Sequence, residues 1–546
     1  MLNNPAQQKK PSHPLFEDVP RGDPDRNPWD YLPPAASFTS PLDLVADDDA
    51  LWEPGCGRLF LGLVGGEVKG EPGKRYVLGG TAIGVEDNRH ICTFAGSRAG
   101  KGRSVIVPNM LHYPGSVLAT DPKGELAAIT ARRRRDMGQN VHVLDPFASP
   151  ETVARSWPHR ADLVTGFNPI EAMRKGREVE DAALIGDALV LVEGNDPHWD
   201  ESARAFIEGV ILHVATWDDP GQWPEFDGCR SLFTVQDMIA RGLPDAKAAG
   251  GFSVAPGLCQ EMERNEAAGG VIRNAGHSLQ SKPDRERESV LSSARRHLKF
   301  LDLFRQTPAG RRTLEHHGFT LDALKRERTT IYLCLPARHM GTCSRWLRLF
   351  VNLTMQAMEQ TAAVGDPGPG NAPVLFCLDE FATLGYLKQI EDAAGQIAGF
   401  GVKLWPVLQD LGQLRALYKD RWETFLGNAG VLQFFGNTDL GTLEWLAKRC
   451  GKTSIRERTD KPITSDQAGK GLTGESWATQ VYDLLGVDEA ARLFGRDDPQ
   501  ARQLVFWGGL PPLILQRAQY DTHGLFQGLW DKPPGTVGGN TGGGGG

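Results

Sequence analysis

Long apolar runs are missing from this 546-residue chain: no stretch approaches the ~18 consecutive apolar residues that a membrane helix needs. Missing too is a charged start followed by an apolar stretch, the pattern of a secretory leader. The eight cysteines contain no CxxC pair, and no histidines stand at zinc-finger spacing from them, which argues against a structural zinc site. They read instead as packing residues of a reduced, cytoplasmic protein, with Cys92, Cys334 and Cys377 inside apolar runs. An excess of basic residues is absent as well: 60 Lys and Arg stand against 68 Asp and Glu, a net charge of -8. Without a global positive field, any contact with DNA has to be local, as in loops that line a pore.

What is present is an ordinary globular composition, 40% hydrophobic and 23% charged, which excludes wholesale disorder. The length exceeds what one core usually serves, so a main domain and at least one other unit are expected. Residues 1–50 are rich in Pro, Asp and Asn and read as a flexible amino-terminal tail, and residues 526–546 as a flexible Gly-rich carboxy-terminal one. Between them ICTFAG, SVLATD, VHVLD, TTIYLCLP, APVLFCLDE, VKLWPVLQ, VLQFFGN and QLVFWGG read as buried strands alternating with helices, the pattern of a parallel sheet covered on both faces. Residues 174–326 break that rhythm with segments of helical spacing such as ESARAFIEGVILHVATW. The expected organisation is a nucleotide-binding domain in two parts, 51–173 and 327–525, with an all-α domain inserted at 174–326.

Three strand ends carry chemistry. After ICTF comes Ala95 and then Gly96, Ser97, Arg98, Ala99, Gly100, Lys101, Gly102, Arg103 and Ser104, followed by VIVPNMLHY, which can start a helix. Small residues let backbone N–H groups converge on phosphates, a helix start adds its positive end, and Lys101 supplies a point charge to the β- and γ-phosphates. Ala95 stands in place of the first Gly of the usual loop. Gly102 stands where Ser or Thr would offer a hydroxyl to Mg²⁺, so metal binding must rest on water, on Ser104 or on carboxylates elsewhere. At the end of VLFCL stand Asp379, suited to hold Mg²⁺ directly or through water, and Glu380, suited to polarise an attacking water. The plain alternative is a carboxylate pair capping a following helix, FATLGYLKQIEDAAGQI. Gln409 ends VKLWPVLQ and could sense the γ-phosphate. Lys, Asp-Glu and Gln at successive strand tips predict an α/β fold with a RecA-like P-loop NTPase domain that binds ATP and Mg²⁺.

The pieces AGSRAGKGRSVIVPNMLHYPGSVLATDPKGE, LDPF, GFNPI, LDEFATLG, AGFGVKLWPVLQDLGQLRALY and LGNAGVLQFFGNTD resemble the coupling proteins of type IV secretion and conjugation systems. The resemblance spans roughly Arg89 to Asp439, and Gly after the Lys is common in that family. It implies a homohexameric, DNA-stimulated ATPase. Such a ring receives single- or double-stranded DNA with a relaxase, or secreted protein effectors, and feeds them to type IV secretion channel components. It also implies amino-terminal membrane helices, which this sequence does not show. The expectation is therefore a soluble form, cytoplasmic or peripheral at the inner face of the bacterial membrane, with membrane association only through a partner. Arg345 and Arg348, after IYLCLP, are candidates for the cation that such a ring supplies in trans, and the sequence does not rank them against Arg98 or Arg103. For the Arg132–Arg135 run, a solvated or salt-bridged face outweighs DNA contact. Two other readings stand beside the motor: a nucleotide-binding docking platform with little hydrolysis, and a DNA translocase of the segregation or repair type.

Overall fold

The computed structural model describes residues 35–71, 75–148, 161–192, 197–217, 226, 229–248, 251–361, 368–393, 397–460 and 475–532. Most of the expected amino-terminal tail (1–34) and the Gly-rich end (533–546) lie outside these. The parts of both tails that are described are not loose. Pro41–Ala46 forms a helix capped by Ser40, Leu44 is buried, and Ala36 donates to the Lys452 carbonyl at 3.0 Å. At the other end Phe526 is fully buried. Composition places the tail boundaries at 50 and 526 and does not register these long-range contacts.

The strands, in chain order, are β1 (Leu59–Val64), β2 (Glu67–Lys69), β3 (Tyr76–Leu78), β4 (Thr81–Val85), β5 (His90–Ala95), β6 (Val117–Asp121), β7 (Asn140–Leu144), β8 (Leu243–Pro244), β9 (Phe252–Ser253), β10 (Thr329–Cys334), β11 (Val374–Leu378), β12 (Val402–Leu408), β13 (Ala429–Phe435), β14 (Lys452–Asp460), β15 (Glu475–Asp483), β16 (Arg502–Trp507) and β17 (Leu513–Gln516). Eleven of them form one sheet in the order β4-β1-β17-β16-β13-β5-β12-β11-β6-β10-β7. From β13 to β7 every pairing is parallel, and from β4 to β13 every pairing is antiparallel. The parallel part is therefore the seven-strand half that carries the motifs.

Its strands are buried on both faces, and alternate residues feed two cores. Phe94, Leu118, Phe376 and Leu404 join one core, while Ile91, Ala119, Cys377 and Trp405 join the other. This is the period-2 alternation of a pleated strand, hidden in the sequence because both faces are apolar.

The insertion enters after β7 and leaves before β10. It is built from Glu178–Leu189, His198–Ala215, Leu232–Arg241, Val271–Gln280, Asp284–Leu298 and shorter helices. It is not wholly α: β8 and β9 form a two-residue antiparallel pair. Its core is continuous with the first sheet core through the long helix Ala337–Thr361, whose Trp346 and Phe350 are fully buried.

Candidate functional site

The sheet order puts β12 between β5 and β11, with β6 on the far side of β11. The carboxyl ends of these four neighbours carry the Gly-rich loop, Gln409, the Asp379–Glu380 pair and Asp121. In the loop, Arg98 and Gly100 hold positive φ of 58° and 89°. Gly96 packs so tightly on the tip of β13 that a Cβ there would sit 1.8 Å from the Gly436 carbonyl oxygen. The helix that follows begins in the wide π form at Gly102–Ile106 and becomes α at Val107–Met110. Pro108 lacks the N–H that regular α winding would direct at Ser104. Asn109 fixes this helix to β1: its Oδ1 accepts from Phe60 N at 2.7 Å, and its Nδ2 donates to Phe60 O at 2.9 Å.

Lys101 Nζ lies 2.9 Å from Asp379 Oδ1 and 2.6 Å from Glu380 Oε1. Gln409 Nε2 reaches Glu380 Oε2 at 3.4 Å. The four side chains thus meet at one rim of the sheet. Burial pulls the Lys101 ammonium down, but the two carboxylates outweigh it and its pKa is raised. At Asp379 burial dominates, and Lys101 only partly offsets the upward shift. Glu380 adopts φ 52°, a strained value for a residue with a side chain. Thr120 Oγ1 holds the turn by donating to the Asp379 carbonyl at 2.8 Å.

These groups border a cavity of about 600 Å³ lined by Ser97, Arg98, Gly100, Lys101, Gly102 and Arg103 on one side. Gly96, Ala99 and Ser104 are not among the lining residues, and Ser104 is buried with its hydroxyl donating to Gly100 O at 2.9 Å. The helix expected over FATLGYLKQIEDAAGQI is broken. A 3₁₀ turn covers Phe381–Leu384, Gly385 takes φ +70°, and an α-helix resumes at Lys388–Ala393. The carboxylate pair therefore faces the cavity from a turn, with no α-helix directly behind it to cap.

Three residues at the site are not among those expected from the sequence. Asp121 is buried at the tip of β6, where Oδ2 accepts from Ala127 N at 2.8 Å; burial pushes its pKa up to about 6. The strand-end run DPKGE was its signal. Arg517 donates to the Ala99 carbonyl at 2.7 Å, and Tyr520 lines the cavity. Both come from a segment more than 400 positions from the loop, and no local pattern marks them.

Two arginines, Arg348 and Arg134, settle differently from expectation. Arg348 is buried and donates to the carbonyls of Ala188, Leu384 and Tyr386, so its guanidinium is committed inside its own chain. That corrects its candidacy for a trans role. Arg345 is half-buried on the same helix, and its charge reaches His297 of the insertion. In the four-arginine run, Arg134 is fully buried and clamps the carbonyls of Met110, Tyr113 and Gly115. Arg132 and Arg135 pair with Asp531 and Asp162.

Residues 62–528 match the family model described as Type IV secretory system Conjugative DNA transfer. The chain belongs to this family. It is 26% identical over 427 residues to a conjugal transfer protein TraG of Escherichia coli, covering 74% of this chain and 62% of that one. It is 27% identical over 454 residues to Protein VirD4 of Agrobacterium fabrum, covering 81% of this chain and 60% of that one. The chain thus spans about three fifths of the length of these relatives. Among solved structures, the bacterial conjugative coupling protein TrwB without its first 70 residues superposes with a TM-score of 0.53 at 13% identity, over 85% of this chain and 96% of that one. At that identity the likeness speaks for the fold. No helix among the described residues is long and apolar enough to cross a membrane.

Proposed function

We propose that this member of the conjugative DNA-transfer family is an ATP-dependent coupling protein. In this reading it works as a ring of six copies, recruits DNA with a relaxase or protein effectors, and drives them into a type IV secretion channel, reaching the membrane through a partner. The observation that carries the reading is the convergence of Lys101, Asp379, Glu380 and Gln409 on one cavity at the carboxyl edge of a parallel sheet. Support also comes from TrwB, which has been solved with ADP and Mg²⁺ and superposes at a TM-score of 0.52.

The donor set fits a magnesium–nucleotide complex. Lys101 and the loop bind phosphate oxygens, and Glu380 holds the proton released by an attacking water. Among the described residues no cluster of three His, Cys, Asp or Glu could hold a metal alone. Mg²⁺ at Asp379 would take its other ligands from phosphate and water, and when bound it neutralises charge developing on the transferred group.

A specific feature favours the docking-platform reading: Gly102 offers no hydroxyl to the metal, and that of Ser104 is turned back on Gly100 O. Steady-state ATP hydrolysis with and without single-stranded DNA separates the two. The motor predicts turnover that rises with DNA and falls on the order of 10²-fold or more in Lys101→Ala. Tight ATP binding without turnover in the intact assembly would favour the platform.

A further inference from the structure

The turn that follows the carboxylate pair is held from outside by one side chain. Arg348 lies buried on the helix Ala337–Thr361, and its Nη1 donates to Leu384 O at 3.0 Å and to Tyr386 O at 2.6 Å. Its Nε donates to Ala188 O at 3.4 Å, at the end of the insertion helix Glu178–Leu189. We propose that Arg348 is the positioning residue for Glu380: by fixing carbonyls at the far end of the turn, it keeps the Glu380 carboxylate where Lys101 and Gln409 meet it. The proposal rests on the reading of Glu380 as the general base of hydrolysis.

Two unfavourable features fall on this one short segment. Glu380 holds a φ of 52°, which persists only where neighbouring structure over-determines it. Arg348 is a charge taken out of water; burial pulls its pKa below the usual arginine value, and Asp187 is the first of the groups that oppose this. An apolar side chain of similar volume would fill the space without that desolvation, so packing does not account for the guanidinium. Its directed donors do. Burial of Phe381 and Leu384 fixes where the turn lies, whereas hydrogen bonds fix how its peptide planes are turned.

The path from the clamp to the carboxylate is short and hydrogen-bonded. Gly385 N donates to Ala382 O at 3.3 Å. Thr383 closes the turn on the Glu380 carbonyl through both its N–H and its Oγ1, each at 2.8 Å. Once the far end is released, Glu380 can relax out of the left-handed region, and its carboxylate then leaves Lys101 and Gln409.

The test measures ATP turnover, ATP affinity and amide hydrogen exchange on the full chain. Arg348→Met should lower kcat on the order of 10²-fold, the loss that follows from displacing a catalytic group by about 1 Å. The Kd for ATP should stay within about twofold, because the phosphate loop is untouched. Exchange over residues 381–387 should quicken about tenfold or more, with β11 unchanged. Arg348→Lys keeps the charge and loses the planar fork; it should show the same split more weakly, and it covers the case in which the Met variant does not fold. Unchanged kcat, unchanged exchange in the turn, or ATP affinity lost in step with kcat overturns the proposal. Glu380→Gln should abolish turnover and keep ATP binding. If it turns over like the wild type, or the wild type does not hydrolyse ATP, the general-base reading fails by itself, and the exchange measurement still decides whether Arg348 holds the turn.

Discussion

Replacing Asp121 by Asn should stabilise the protein at high pH and not at low pH. The carboxyl is buried, with its pKa raised from 3.8 to about 6 by loss of solvent, which outweighs the backbone N–H groups it accepts from. Between those two values the folded chain binds more protons than the unfolded one. This contribution to stability is thus present at low pH and is lost as pH rises through about 6. Roughly two pKa units correspond to about 3 kcal/mol carried by the ionised group at pH 8. Asp121→Asn removes that cost and keeps an acceptor for Ala127 N, but sets an amide donor against the Lys123 N–H, which offsets about 1 kcal/mol. A net gain of about 2 kcal/mol is expected at pH 8, shrinking to zero or reversing near pH 4.5. Urea unfolding of wild type and variant at both pH values measures it. A difference between the two proteins that does not change with pH would refute the assignment of a buried, proton-binding carboxyl.

Arg134→Met should destabilise by about 3–5 kcal/mol, because buried carbonyls of Met110 and Tyr113 lose their charged donor, whereas Arg132→Ala and Arg135→Ala should each cost about 1 kcal/mol or less. Chemical denaturation reads all three, and a loss of DNA binding in the two exposed variants at unchanged stability would show that the run contacts DNA. Gly96→Ala should abolish ATP binding even where the chain still folds, since its Cβ would stand 1.8 Å from the Gly436 oxygen and the loop has to move. Retention of wild-type affinity by calorimetry would show that the loop can relax without moving Lys101.

Much of this protein was legible in one dimension because its signals are local. The eight apolar segments that read as strands all appear in the sheet, since a strand buried on both faces needs a continuous apolar run whatever its neighbours are. The strand-end positions of Lys101, Asp379–Glu380 and Gln409 were legible for a similar reason: a loop at the tip of a parallel strand has one place to be. What the sequence could not specify was set by strand order and by contacts across hundreds of residues. Only the order β5-β12-β11-β6 makes those tips neighbours and adds Asp121 to them. Only packing shows that Arg348 and Arg134 are consumed by buried carbonyls, because an arginine in a string of letters looks the same exposed or enclosed. The start of the segment that reads as a loose tail is instead fixed in place by the buried Phe526 and by Asp531, which accepts from Arg132. Local pattern determines what each segment can be, and tertiary structure decides which groups lose water together, which is where pKa shifts and binding sites arise.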